Sequence, residues 1–406
     1  MNNTPLKMLS YALLVASGTA NAESFIAEGS SAPVLHIGSV NAYPGLSVAE
    51  KHDDNLTMGG NGKVISSNIL QLKPSMLLQA KKDADAYTLA YEADLGRYKQ
   101  SSADNYDDHN LSATAQLALT QRATLSLTPE YKIGHDPRGS LSGSKDTLVP
   151  NTFKNKGGTG SFSYGSEESR GRFVLNAGYH ELQYDNNPTA TNAMDRTTTE
   201  TGGTFYYRLA PKTSALVVLN NTRVSYNYID VGSSGVSNPL LSGSERRYQV
   251  GVTWDAAAQT SGIFKIGQMQ KVFDSATHSN FKGGSWEGSV HWTPREYVRL
   301  NWVTGRTTGE TTLPGSNFVL STNNAVDFGY DLNQKSSLSV NAVKLTEDYN
   351  GTTRSDNTNT YGLKAEYKVR SWLIGDMTFS NAAKRSNIST DDYNRNIFMV
   401  SIHSKI

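Results

Sequence analysis

The feature that most limits what this chain can fold into is a period-two alternation that recurs, run after run, beyond residue 30. Apolar and polar residues take turns, while the i, i+3, i+4, i+7 spacing of an amphipathic helix is hardly found. In Tyr248-Gln249-Val250-Gly251-Val252-Thr253-Trp254-Asp255 the even positions are apolar and the odd ones polar or glycine. Phe173, Leu175, Ala177 and Tyr179 alternate in the same way with Arg172, Asn176, Gly178 and His180, and Trp286, Val290 and Trp292 with Ser285, Glu287, Ser289 and His291. Each run is about ten residues long, enough for a tilted strand to cross a bilayer.

The spacing predicts strands near 34–48, 65–80, 85–98, 106–119, 123–134, 156–165, 172–184, 197–209 and 214–228. It predicts as many again near 245–256, 261–273, 285–293, 298–306, 323–331, 337–348, 358–368, 372–381 and 394–403. The links between them alternate in length. Thr120-Gln121-Arg122, Ala210-Pro211-Lys212-Thr213, Thr293-Pro294-Arg295-Glu296, Leu332-Asn333-Gln334-Lys335 and Val369-Arg370 are short. Polar stretches near 49–64, 135–155, 185–196, 229–244, 307–322 and 382–393 are long. A soluble sandwich has no reason to sort its loops by parity. An all-β, up-and-down antiparallel transmembrane barrel of about eighteen strands does, with tight periplasmic turns and long extracellular loops.

Composition agrees. Hydrophobic residues are 37% of the chain and mean hydropathy is −0.48, so no helical membrane span is available. A wet-lumen barrel needs an apolar residue only at every second position. Ahead of the strands, Lys7, the apolar run Met8 to Ala16 and Ala20-Asn21-Ala22 form a signal peptide pattern with cleavage expected after Ala22. The expected organisation is therefore a signal peptide over 1–22, a short lead-in over 23–33 and the barrel over 34–406. No cysteine is present to carry a lipoprotein's acyl chain.

With strand direction set by the short turns, the aromatics sort into two belts. Tyr87, Trp254, Trp292, Tyr297, Tyr330, Tyr367 and Trp372 fall near the periplasmic side. Tyr98, Tyr106, Tyr131, Tyr184, Tyr228, Trp286, Tyr349 and Tyr393 fall near the outside. Amphipathic rings collect at the two membrane interfaces. The last run puts Phe398, Val400, Ile402 and Ile406 on one face.

Chemistry is sparse. His52-Asp53-Asp54 and Asp107-Asp108-His109 pair carboxylates with histidine at the expected outer rim, where they could activate water or hold Ca²⁺. Solvated turns have the same composition. Zinc spacings, phosphate-binding glycine loops and a nucleic-acid platform are not found, and a net charge of +1 steers no polyanion. No enzyme, cofactor, metal or nucleic-acid partner is expected. Arg97, Arg172, Arg299, Arg306 and Arg354 lie on or beside strands where charge facing lipid costs about 2–4 kcal/mol at mid-membrane. Arg172 and Arg299 have the parity opposite to their strands' apolar face, so they should point into the lumen. All five arginines are candidate lumen contacts, for carboxylate-bearing sugars or for one another.

Ser244-Glu245-Arg246-Arg247-Tyr248, Gly251-Val252-Thr253-Trp254-Asp255, Ser261-Gly262 leading to Gly267, Gly284-Ser285-Trp286, Trp292-Thr293-Pro294-Arg295-Glu296 and Gly305-Arg306-Thr307-Thr308 occur in that order. They are followed by Asp348-Tyr349-Asn350-Gly351 with Arg354 and Asp356, Arg385-Ser386-Asn387 and Tyr393-Asn394-Arg395-Asn396. In this order the chain from about residue 244 resembles a family of outer-membrane barrel porins encoded with capsule or exopolysaccharide synthesis machinery. The N-terminal half resembles it mainly through Asp53-Asp54-Asn55 and the strand rhythm. The resemblance implies an eighteen-strand barrel in the outer membrane that takes part in exporting an extracellular polysaccharide, with polysaccharide-export proteins as partners. A general diffusion porin for small hydrophilic solutes and a surface-exposed structural or adhesive barrel are the alternatives. The lumen could be open or closed by an inward-folded loop such as 135–155.

Overall fold

The computed structural model describes residues 35–60, 64–140, 147–166, 168–227, 241–256, 259–311, 313 and 315–405. The expected signal peptide and lead-in, Tyr228 and Ile406 lie outside the described residues. The strands are β1 (Leu35–Ile37), β2 (Val40–Asp53), β3 (Ser67–Lys82), β4 (Asp85–Tyr98), β5 (Tyr106–Ala118), β6 (Ala123–Asp136), β7 (Asn151–Tyr164), β8 (Gly171–Tyr184), β9 (Arg196–Ala210) and β10 (Thr213–Tyr226). They continue as β11 (Gly243–Ala256), β12 (Thr260–Phe273), β13 (Phe281–Arg295), β14 (Val298–Gly309), β15 (Phe318–Asp331), β16 (Ser336–Asn350), β17 (Ser355–Arg370), β18 (Leu373–Ser386) and β19 (Tyr393–Lys405).

From β2 to β19 each strand pairs antiparallel with the next, and β19 returns to β2 from Ile397↔Asp53 to Lys405↔Gly45. The eighteen strands so joined have no free edge, the condition for a sheet in lipid, where an unpaired backbone group finds no water. Strand β1 folds back on Val40–Ala42 through Gly38, whose φ of +63° suits a residue without Cβ, and continues the line of β19 along the same edge of β2. The predicted first strand, 34–48, is thus a short hairpin arm followed by a strand that runs on to Asp53.

Turns such as Asp83-Ala84, Pro211-Lys212, Glu296-Tyr297 and Ser371-Trp372 close one end of the barrel, and the longer connections leave from the other, where β2 ends at Asp53, β6 at Asp136 and β10 at Tyr226. The alternation expected from sequence is observed. Several strands extend further into the long connections than expected: 49–53, 151–155, 318–322 and 382–386 are sheet. Above the bilayer the outward face need not be apolar, so the alternation fades while the ladder of backbone hydrogen bonds continues.

Pairing register assigns each residue to the inside or the outside. Leu70↔Glu50, Leu72↔Leu95, Met76↔Tyr91 and Leu78↔Leu89 are outward rows, and Gln71↔Gly96 and Lys51↔Ile69 are inward ones. The outward rows supply exposed apolar residues such as Leu175, Val250, Ile266, Leu363 and Ile402, which form the lipid-facing waist. At its periplasmic edge stand Tyr87, Trp254, Trp292, Tyr297, Tyr330, Tyr367 and Trp372, with Tyr297 edge-on to Tyr330 at 5.5 Å. The outer belt is composed differently from the expectation. Tyr98, Tyr106, Tyr184, Tyr349 and Tyr393 have inward parity, and only Tyr131 and Trp286 of that group face outward. The outward partners at that level are Tyr179, Tyr248 and Tyr361. Trp254 to Tyr248, Trp292 to Trp286 and Tyr367 to Tyr361 each separate the belts by about 20 Å along a strand at ~3.3 Å per residue.

Candidate functional site

The inward rows line the lumen with both signs of charge, held together by ion pairs. Lys265 Nζ lies 2.5 Å from Glu287 Oε2, and Arg247 reaches Glu245 at 2.6 Å and Glu287 at 3.5 Å. Lys73 Nζ is 2.9 Å from Asp94, whose oxygens also accept from Gln71 Nε2 at 2.8 Å and Tyr106 Oη at 3.0 Å. Arg299 donates to Asp331 at 2.5 and 2.9 Å. Such pairing leaves each wall polar without a strong field of one sign.

Some of the resemblance motifs form latches. Arg395, in Tyr393-Asn394-Arg395-Asn396, grips buried Asp53 at 2.5 to 3.1 Å across the closing seam. Asn396 N and Nδ2 donate to Asp54 at 2.7 and 2.8 Å, and Asn55 Nδ2 donates to the Asn394 carbonyl at 2.9 Å. The two segments therefore close β19 onto β2. Arg354 sits over the Tyr349 ring at 4.6 Å, with Asp356 and Asp391 each 2.7 Å away.

Two hairpins leave the wall near the outer mouth. Strands β13 and β14 pair only up to Trp286↔Arg306, while β14 and β15 remain paired to Gly309↔Val319. The freed tip leans into the lumen and lays its outward face on the inward face of β11 and β12. Phe318 and Leu320 pack with Leu241, Met269 and Phe273, and Phe318 is 0% exposed. Thr308 hydrogen-bonds Glu245, Glu310 accepts from Lys271 Nζ at 2.7 Å, and Tyr226 Oη donates to Glu310. Burial pushes the Glu310 carboxyl up, but the Lys271 charge outweighs it and holds the group below its ordinary range.

The β6–β7 hairpin does the same opposite β4 and β5. Pairing of β5 with β6 stops at His109↔Ile133, and beyond it His135 stacks on Tyr106 at 4.0 Å and bonds Asp108 at 2.9 Å. Gly96 makes room, since a Cβ there would lie 2.1 Å from the Tyr106 ring. Just past the end of β6, Arg138 Nε donates to Asp104 at 2.7 Å, a bond that raises the guanidinium pKa. A cavity of about 650 Å³ opens where the strands part, bordered by Arg97, Asp107, Asp108, His135, Thr152 and Asn186.

The candidate arginines divide. Arg172 has inward parity and lies over the Tyr206 ring at 4.5 Å, and Arg299 has inward parity beside Asp331. Arg354 stands at the mouth, engaged by carboxylates. Arg97 and Arg306 have outward parity: Arg97 faces Asp107 at 2.7 Å outside the barrel, and Arg306 lies over Trp286 at 5.5 Å. Neither is a lumen contact, because the register puts them on the lipid side above the waist.

The histidine-carboxylate clusters do not converge. His52 turns outward to Asn68 and Asp53 inward to Arg395; Asp107 turns outward to Arg97 and Asp108 inward to His135. Alternate strand positions point to opposite faces. Among the described residues no group of three or more carboxylate or histidine side chains could hold a metal ion. A hydrogen-bonded series that sequence reasoning missed, Ser47–His403–Asp376, crosses the inner wall, with Ser47 Oγ 2.8 Å from His403 Nδ1. No spacing rule finds it, since its members come from the two ends of the chain.

An apolar outside around a charged inside has a use only in a membrane, and the chain is a porin-type β-barrel of the outer membrane. It belongs to the family described as putative beta-barrel porin 2, which matches residues 34–406, well beyond the stretch from residue 244 that carries most of the sequence resemblance. Among solved structures it is similar to Pseudomonas aeruginosa OpdK with vanillate at 11% identity and TM-score 0.51, covering 90% of this chain and 99% of that one. It is similar to P. aeruginosa OccK5 (OpdH) at 12% identity and TM-score 0.50, covering 91% and 98%. Against the FrpB iron transporter of Neisseria meningitidis it has 11% identity and TM-score 0.47, covering 85% of this chain but only 62% of that longer one. No curated protein matches the chain.

Proposed function

We propose that the chain is a narrow diffusion porin for small hydrophilic solutes, delivered to the outer membrane after cleavage near Ala22. The observation that carries this reading is the pair of inward-leaning hairpins, β6–β7 and β14–β15, over a lumen whose charges are largely compensated. Eighteen strands enclose enough room for water, and hairpin tips reduce the opening to a size that sorts solutes. OpdK, a barrel of similar fold, has been crystallised with vanillate, a small solute. Purified protein in planar bilayers should give a steady conductance, and liposomes containing it should swell in small sugars but not in long oligosaccharides. Absence of conductance would defeat the reading.

Polysaccharide export, which the sequence resemblance implies, is the second function proposed. What supports it in the site is the inward Arg172–Tyr206 stack, a cation and an aromatic face suited to an acidic sugar. Loss of surface polymer in cells lacking the protein, regained on complementation, would move it to first place.

A further inference from the structure

Above the apolar waist, charge on the outside of the barrel is unevenly distributed. On β4 to β10, outward cations face carboxylates: Arg97 with Asp107 at 2.7 Å, Lys154 with Asp185 at 2.9 Å, Lys156 with Glu181 at 3.1 Å and Arg223 with Asp274 at 2.5 Å. On β11 to β18 the outward rows carry Arg246, Lys282, Arg306, Lys344 and Arg385. Among the described residues none of these five is in an ion pair; of the outward carboxylates on this side, Asp348 accepts from Ser355 Oγ at 2.7 Å and Asp274, just past β12, is taken by Arg223.

Arg306 and Lys344 stand at the level of the outer aromatic belt, two strands apart and two residues out of row, or about 12 Å. Between them runs a polar row. Trp286 Nε1 donates to Thr304 Oγ1 at 3.2 Å, and Thr304 donates to Asn324 Oδ1 at 2.8 Å. Asn324 and Asn359 are the register partners of Lys344 on either side. Arg306 keeps its guanidinium over the Trp286 ring, with only a long bond of 3.4 Å to the Gly284 carbonyl.

We propose that this sector binds the phosphorylated glycolipid of the outer leaflet, with phosphates on Arg306 and Lys344 and sugar hydroxyls on Asn324 and Asn359. Cations without carboxylate partners at a lipid interface gain most from an anionic headgroup, whose charge they neutralise at short range. The amide row supplies the donors and acceptors that sugars need. The outward cations of β4 to β10, already neutralised by carboxylates, have no such demand.

The test is native mass spectrometry of the folded barrel in uncharged detergent, titrated with diphosphoryl lipid A or its dephosphorylated counterpart. Wild type should retain the diphosphoryl form, and Arg306→Gln/Lys344→Gln should lose about tenfold or more in affinity. Arg97→Gln, which removes an outward cation already paired, should bind as wild type. Equal retention by the double variant, or equal retention of the dephosphorylated lipid, overturns the proposal. Folding is checked by strand circular dichroism. If the double variant does not fold, Lys344→Gln, at an exposed position, carries the comparison with a smaller expected loss, and wild-type binding by it overturns the proposal.

Discussion

Replacing Phe318 by alanine should free the tip of the β14–β15 hairpin from β11 and β12 without unfolding the barrel. The ring is fully buried among Leu241, Met269, Phe273 and Leu320. Truncating a buried phenylalanine to alanine costs about 3–5 kcal/mol in a protein core. A hairpin resting in a wet lumen belongs at the lower end, so ~3 kcal/mol, or a shift of about a hundredfold toward the undocked hairpin. That loss falls on docking rather than on the wall, because β13 and β14 are already unpaired above Trp286↔Arg306. In single-channel recordings the variant should flicker between two conductance levels or conduct at the higher one. Phe328→Ala, on the lipid face, should leave conductance alone. If Phe318→Ala leaves the current trace unchanged while thermal stability falls, the ring supports the wall and the argument for a docked hairpin fails.

Arg395→Gln should lower barrel stability by about 3–5 kcal/mol, since it leaves Asp53 buried without its partner. Thermal denaturation checks it, and Asp53→Asn in the same chain should recover part of the loss. Because Lys271 holds Glu310 below its ordinary carboxyl value near 4.5, the docked hairpin binds fewer protons than the free one. Its docking strength is therefore full above that value and is lost as pH falls through the depressed one. Conductance should stay level from pH 7 to 5 and change only under stronger acid. A step near pH 6, or one that survives in Glu310→Gln, would contradict this latch. Arg299→Gln leaves Asp331 uncompensated in the lumen and should raise cation selectivity, read from the reversal potential in a salt gradient. Arg97→Ala should change stability by less than about 1 kcal/mol, as exposed ion pairs do, and leave conductance unchanged.

The strand rhythm, the parity of the loops and the periplasmic belt were legible in the sequence because lipid imposes them locally. Each outward side chain at the waist must be apolar whatever the rest of the chain does, and Trp254, Trp292 and Tyr367 report their height by sequence position alone. At the outer mouth the sequence pattern no longer reports the side a residue faces. There the outside is no longer hydrocarbon, so nothing in the alternation separates Tyr98 and Tyr349, which turn inward, from Tyr179 and Tyr361, which turn outward. Only register decided that Arg97 and Arg306 lie outside and Arg172 and Arg299 inside, since one residue of slip exchanges the two faces. Only closure brought Asp53 to Arg395, and only the parting of β13 from β14 and of β5 from β6 folded Phe318 and His135 inward. Those contacts join residues far apart in sequence through packing and ion pairing, so the tertiary structure alone could choose them.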